Sequence, residues 1–466
     1  MVRVFFLLLV CISLMTTAPA HAAPAERAST VSDRELVNLT IYNGTMSLVH
    51  DRRNVSLSSG INRIAWRDVS AIMDPTSALL EDLSSHNRVD VLEQNFNFDV
   101  LDPAALLQKS IGREVTIVHE PRFAGERETR EQARILSATN GIVLQYKDRI
   151  ETQLRGYIIY PEIPSSLRDQ PTLTLEIQSE HGARQTLDLS YMTGGLSWHA
   201  DYVGTLASDE GHLSITGLVT LSNTSGVSYE NARLQLVAGN VNVVQMRAMG
   251  DLVKAGTTAD VYSANSFSQE NYFEYHLYTM SRPSTILDKQ TKQIALLQAQ
   301  NVPVRKTLEL RGAPQYYRSA QPDLGDRLPL GVYVTFENKG GQLGIPLPGG
   351  IVRLYKNDSR GLSQFLGSDR IDHTPKNETV RLHLGNSFDV TARKKQTDFH
   401  IAGFCQSDSS YQITVSNAKP LAQDVLVVEP IPGDWQITAE NMHHTKSSAS
   451  SANWTMRVPA DSHAEL

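Results

Sequence analysis

Val37-Asn38-Leu39-Thr40-Ile41-Tyr42 alternates apolar and polar residues one for one, and this alternation decides the fold. Successive side chains of an extended chain point to opposite faces. Val37, Leu39 and Ile41 therefore share a core face, and Asn38, Thr40 and Tyr42 the other. The pattern recurs in Leu173-Thr174-Leu175-Glu176-Ile177-Gln178, Val332-Tyr333-Val334-Thr335-Phe336-Glu337 and Tyr411-Gln412-Ile413-Thr414-Val415-Ser416. Each reads as a half-buried antiparallel strand. Turn chemistry separates the strands: Asn43-Gly44, Asn140-Gly141, Gly340-Gly341 and Asn357-Asp358-Ser359-Arg360-Gly361. Helix signals are confined to one short stretch, where Asp102 suits an N-cap and Pro103 the first turn ahead of Ala104-Ala105-Leu106-Leu107. The expected fold is mainly β, with several antiparallel β-sandwich domains of immunoglobulin-like type and a small SH3-like barrel insert.

Outward from these strands, the chain divides into an N-terminal β domain over 23–101 and 152–190, the inserted small barrel over 102–151, and a central β-sandwich with long loops over 191–388. A C-terminal immunoglobulin-like domain over 389–466 follows. Residues 246–270 and 311–328 lack periodicity and read as long connectors, and no internal repeat is evident. In the last domain, Tyr411 to Val415, Val425 to Val428 and Trp454 to Val458 supply strands. After the turn at Pro459-Ala460-Asp461-Ser462, only His463-Ala464-Glu465-Leu466 remain, fewer than the roughly five or six residues of a typical strand. This domain is expected to be incomplete, with an open edge that further chain or a partner strand would close.

Residues 1–22 have the order of a cleaved export signal: Arg3, the apolar run Val4 to Leu14, and a small-residue site at Ala20-His21-Ala22. The run falls short of the ~20 residues that span a membrane, and no later stretch approaches them. The expectation is a periplasmic or extracellular protein with no transmembrane segment after cleavage. Lys and Arg total 43 against 50 Asp and Glu, a net charge of −7, which argues against a nucleic-acid partner. Cys11 leaves with the signal, so Cys405 stands alone and no intramolecular disulfide forms. An exported chain without disulfides fits a bacterial envelope.

Few residues suggest chemistry. In the strand Trp198-His199-Ala200-Asp201-Tyr202, His199 and Asp201 share a face and have the types of a catalytic base and its orienter. The competing reading makes Trp198 and Tyr202 core anchors and leaves the polar pair in water. Asp369, Asp372 and His373 are of metal-ligand type, but their spacing matches no compact motif. His443-His444 reads as an inert loop pair, because adjacent side chains rarely converge on an ion without further ligands. His119-Glu120 opens like a zincin motif, but Phe123 stands where the second His belongs. No phosphate-loop, dinucleotide or nucleophile-elbow pattern occurs, and no cofactor is expected. Tyr272, Phe273, Tyr275 and Tyr278 form either a carbohydrate or peptide platform, or a strand edge tucked into the core.

Tyr191-Met192-Thr193-Gly194-Gly195-Leu196-Ser197-Trp198-His199-Ala200-Asp201-Tyr202, followed by Leu221-Ser222-Asn223-Thr224-Ser225-Gly226 and Leu234-Gln235-Leu236-Val237-Ala238-Gly239, resembles the mucoidy-inhibitor-A-like family. Gln290-Thr291-Lys292-Gln293, Ile371-Asp372-His373-Thr374-Pro375-Lys376 and Gly433-Asp434-Trp435 continue the resemblance over most of 190–460. It implies a bacterial exported β-rich protein with a link to exopolysaccharide and no assigned activity. The coiled coil of longer members is absent, since no heptad run appears. The expected function is therefore a non-catalytic binder or scaffold of an envelope protein or polysaccharide. The alternative is a secreted hydrolase with a site assembled across domains.

Overall fold

The computed structural model describes residues 25–44, 46–84, 89–97, 100–120, 127–139, 141–164, 167–239, 241–242, 267–321 and 323–466. The export segment 1–22, Asn140 of the expected hairpin tip and most of the connector at 246–270 lie outside these residues. Among the described residues the chain is mainly β, with 29 strands and one α-helix in several multi-strand sheets. No described helix is long and apolar enough to cross a membrane. The chain separates into two compact units, the first holding residues up to Glu35, Arg52–Val69 and Leu80–Asp188, the second Leu36–Asp51, Ser70–Leu79 and Leu189–Leu466.

In the first unit, a four-stranded sheet runs Glu26–Ser29, Gly60–Arg67, Thr172–Ser179, Val89–Asn97. Leu173, Leu175 and Ile177 are buried in it, as alternation requires. Arg53 is wholly buried, its guanidinium 4.7 Å over the Trp66 ring and donating to the carbonyls of Ser29 (2.8 Å) and Arg67 (2.7 Å). A second sheet follows the order Ile150–Glu151, Val143–Gln145, Thr129–Ser137, Glu114–His119, Tyr157–Ile159 and is antiparallel throughout. Ile135 lies opposite Leu144, and both enter a small core with Val115, Ile117, Ala133 and Tyr146. The helix Pro103–Lys109 packs Leu107 on that core, and the Asp102 carboxylate caps it through the N–H groups of Ala104 and Ala105. The sheet draws its fifth strand from beyond 151 and follows an open path rather than a closed barrel. Its edge strands, of 2 and 3 residues, offer too few ladder bonds to close it.

An eight-stranded sheet runs Phe267–Tyr272, Tyr275–Met280, Tyr229–Ala238, Arg34–Tyr42, Ser47–Leu57, Ala183–Thr193, Leu79–Asp82, with Ser284–Ile286 paired to Tyr229–Ala238. Val37, Leu39 and Ile41 are buried in it, and Asn38, Thr40 and Tyr42 half-buried. A twelve-stranded sheet orders Ser363–Ile371, Gly350–Asn357, Leu196–Leu206, His212–Asn223, Gln290–Arg311, Leu328–Glu337, Thr379–Gly403, Gln406–Asn417 and Ser462–Glu465. Gln423–Pro430 joins Gln290–Arg311 and Ser451–Val458, which also pairs with Thr445–Ser448. The boundary expected at 389 falls inside the strand Thr379–Gly403, and the last core takes Leu308, Leu310 and Leu330 as well as Val390, Val415, Val425 and Trp454. The long strand Gln290–Arg311 pairs with His212–Asn223 over its first part and with Leu328–Glu337 and Gln423–Pro430 over its second.

Three buried asparagines at strand ends repeat one device. Asn223 Nδ2 donates to the carbonyls of Val227 (2.8 Å), Ile286 (3.3 Å) and Leu287 (3.1 Å), while its Oδ1 accepts the Ser225 N–H (3.0 Å). Asn338 and Asn417 clamp their own loops in the same manner. Each fixes a turn and ties it to a neighbouring segment. The expectation that the last four residues are too few to pair is corrected beside the Asn417 clamp. With the turn held at Pro459, the four residues Ser462–Glu465 pair with Gln406–Asn417, and Ile413 and Leu466 exchange backbone bonds of 2.8 and 2.9 Å.

Candidate functional site

In the hairpin Phe267–Tyr272/Tyr275–Met280, Tyr272 lies opposite Tyr275, so Phe273 and Glu274 form a two-residue turn with Phe273 at φ 56°. The aromatics divide by face. Tyr278 is buried, 6.5 Å from the Trp198 ring centroid, and its hydroxyl donates to Pro346 O (2.8 Å). Burial holds its phenol well above the usual range. Tyr272 and Phe273 remain 59% and 86% exposed. Beside them Glu274, His276, Tyr278, Leu347, His373 and Thr374 line a shallow cleft.

Hydrogen bonds tie the cleft walls together. Leu347 and Thr374 exchange backbone bonds of 2.8 and 2.9 Å. Behind them, Asn338 Nδ2 donates to Ile345 O (2.7 Å) and Pro375 O (2.9 Å), and Asn338 Oδ1 accepts the Gly344 N–H (3.0 Å). His373 Nδ1 accepts the Gly349 N–H (3.1 Å), and its Nε2 lies 3.0 Å from Asn43 Nδ2. Burial lowers the His373 pKa; Asp372 opposes this and nearby His276 reinforces it. Glu274, His276, His373 and Thr374 thus line one depression, and the hairpin that supplies Glu274 and His276 also exposes the Tyr272 and Phe273 rings. This suits a ligand carrying both hydroxyls and an apolar face.

His199 and Asp201 lie elsewhere, on the strand Leu196–Leu206. Trp198 and Tyr202 are core anchors at 4% and 0% exposure, the Tyr202 hydroxyl donating to Pro348 O (2.8 Å). Nearby, Gly195 sits at φ 75°, where a Cβ would come within 2.8 Å of the Ser225 backbone, so the glycine of this stretch is required by close approach. His199 Nε2 is 3.1 Å from the Asp201 carboxylate, as the paired reading anticipates. Asp201, however, is not in water. It is 7% exposed and accepts from Thr220 Oγ1 (2.8 Å) and Arg353 (2.9 Å). Thr220 in turn accepts from Gln293 (3.1 Å). The bonds form a polar ladder over four adjacent strands. Burial alone would raise the Asp201 carboxyl, but the bonds from His199, Arg353 and Thr220 outweigh it and hold the group well below the carboxylate range. Alternation puts the pair on one face; the ion pair of Asp201 with Arg353, a residue of a parallel neighbouring strand, lies outside its reach.

Asp369, Asp372 and His373 do not gather as a ligand set. Asp369 accepts from the His383 and Arg370 N–H groups, and His373 is committed to the cleft. Among the described residues, one group of three side chains brings metal-ligand atoms within 4.8 Å of one another: Glu440, His443 and His444. The adjacent histidines were visible in the sequence, but the carboxylate that joins them was not. Cys405 is exposed near the tip of the ribbon Thr379–Gly403/Gln406–Asn417, beside the fully exposed Phe404. No family model, curated protein or solved structure matches the chain.

Proposed function

We propose that the protein is an exported, non-catalytic binding protein of the cell envelope, and that the cleft beside Tyr272 and Phe273 takes a segment of polysaccharide. The observation that carries this reading is a depression lined by Glu274, His276 and His373 together with two exposed aromatic rings, Tyr272 and Phe273, on the hairpin that supplies Glu274 and His276. The C–H face of a sugar ring packs on an aromatic face while its hydroxyls meet carboxylate and imidazole. The signal-like segment 1–22 and the resemblance to an exopolysaccharide-linked family support the location and the ligand class. Electrophoresis through gels containing soluble exopolysaccharide tests it. The purified protein is expected to be retarded and Phe273→Ala to run freely, with an unchanged Tm because that ring is 86% exposed. No retardation in any glycan preparation, or retardation untouched by Phe273→Ala, overturns the reading.

A hydrolase is the second reading, favoured by the 3.1 Å contact of His199 with an ionised Asp201. It requires release of reducing ends or acid from a glycan or ester substrate, lost in a folded His199→Ala variant.

A further inference from the structure

We propose that Glu440, His443 and His444 form a binding site for a divalent metal ion of the zinc type, independent of the glycan cleft. The three residues lie on the segment between the strands Gln423–Pro430 and Thr445–Ser448. Glu440 Oε1 is 3.1 Å from His443 Nδ1, and Oε2 is 2.9 Å from His444 Nδ1. Ligand atoms at ~2.0–2.2 Å from a tetrahedral zinc ion stand roughly 3.3 Å from one another. An ion that replaced the ring protons would find both carboxylate–imidazole separations near that value and all three ligand atoms within 4.8 Å of one another. One carboxylate oxygen and two imidazole nitrogens match zinc's preference, with a fourth position left open.

The surroundings orient the set. The Trp454 indole N–H donates to Glu440 Oε2 (3.1 Å), and the His444 backbone N–H reaches the same oxygen (3.2 Å). Outer hydrogen bonds of this kind fix a ligating carboxylate and typically change metal affinity about 10–100-fold when removed. The Trp435 and Trp454 rings flank His444, each at 5.9 Å between centroids, and limit its rotation. His443 keeps 89% of its side chain in water, which gives an ion access, while Glu440 and His444 keep about a fifth.

Titration calorimetry of the purified protein with Zn²⁺ alone tests the site. One saturable equivalent is expected, with His444→Ala and Glu440→Gln each weakening it at least tenfold and Trp454→Phe weakening it less. His443→Ala serves as a further variant that leaves packing intact, because its ring is exposed, and it too must weaken binding tenfold. Co²⁺ in place of Zn²⁺ is expected to show visible absorption bands that disappear in His443→Ala. Absence of a saturable equivalent, or affinity unchanged in His443→Ala, overturns the proposal.

Discussion

Asn338→Ala is expected to cost about 3–4 kcal/mol and to loosen the cleft. The side chain is fully buried and spends its carboxamide on Ile345 O (2.7 Å), Pro375 O (2.9 Å) and the Gly344 N–H (3.0 Å). Each such bond contributes ~1 kcal/mol net, and a buried partner left unsatisfied costs ~1–3 kcal/mol more. Water entering the vacated space offsets part of that second cost, which leaves about 3–4 kcal/mol rather than the full sum. Asn338→Asp should cost no less. It keeps the Gly344 bond but turns a donor into an acceptor facing two carbonyls. Urea unfolding followed by tryptophan fluorescence measures the change, with hydrogen exchange over 338–349 and 371–378 to locate it. Faster exchange in those segments and weaker retardation by exopolysaccharide should accompany the loss. A change within about 1 kcal/mol, with exchange unaltered at Leu347 and Thr374, would show that the clamp does not hold the walls.

Lys394, 2% exposed and 2.6 Å from Glu429, lies among the rings of Tyr316, Tyr317 and Tyr411. Lys394→Met should destabilise by ~3–5 kcal/mol by stranding the carboxylate, and adding Glu429→Gln should recover part of the loss in a double-mutant cycle. Burial raises the Glu210 carboxyl, but Lys306 and Lys356 outweigh it and bring the pKa down to about 2. With the folded value depressed, this stability is present above the ordinary carboxylate pKa and lost as pH falls from about 4.5 towards 2. With a third of the side chain in water (34%), the effect should be on the order of 1 kcal/mol, read as a shallower Tm decline between pH 5 and 3 in Glu210→Gln. Trp198→Ala should cost ~3–5 kcal/mol as a core truncation, whereas exposed His199→Ala changes unfolding little. Asp201→Ala, which strands Arg353 and Thr220, should fall between them at about 2 kcal/mol.

The residues by themselves determined the secondary structure and the faces of the strands. Val37, Leu39 and Ile41 are buried, and Asp102 caps the one described α-helix, because side-chain alternation and capping are set by neighbours a few positions away. Trp198 and Tyr202 as core anchors belong to the same local logic. What local reasoning could not supply was partnership across distant strands. Arg353 meets Asp201 over 152 positions of chain, Tyr317 and Lys394 meet at Glu429, and the Trp454 indole N–H reaches Glu440 from the strand Ser451–Val458. The last strand shows the same limit. Four residues look too few to pair, and they pair because Asn417, on the adjacent strand of the same sheet, holds the preceding turn. A strand's own residues dictate which way its side chains point. Which charge, ring or carbonyl waits there depends on strand order in the sheet, and that order is decided only when the whole chain closes its core.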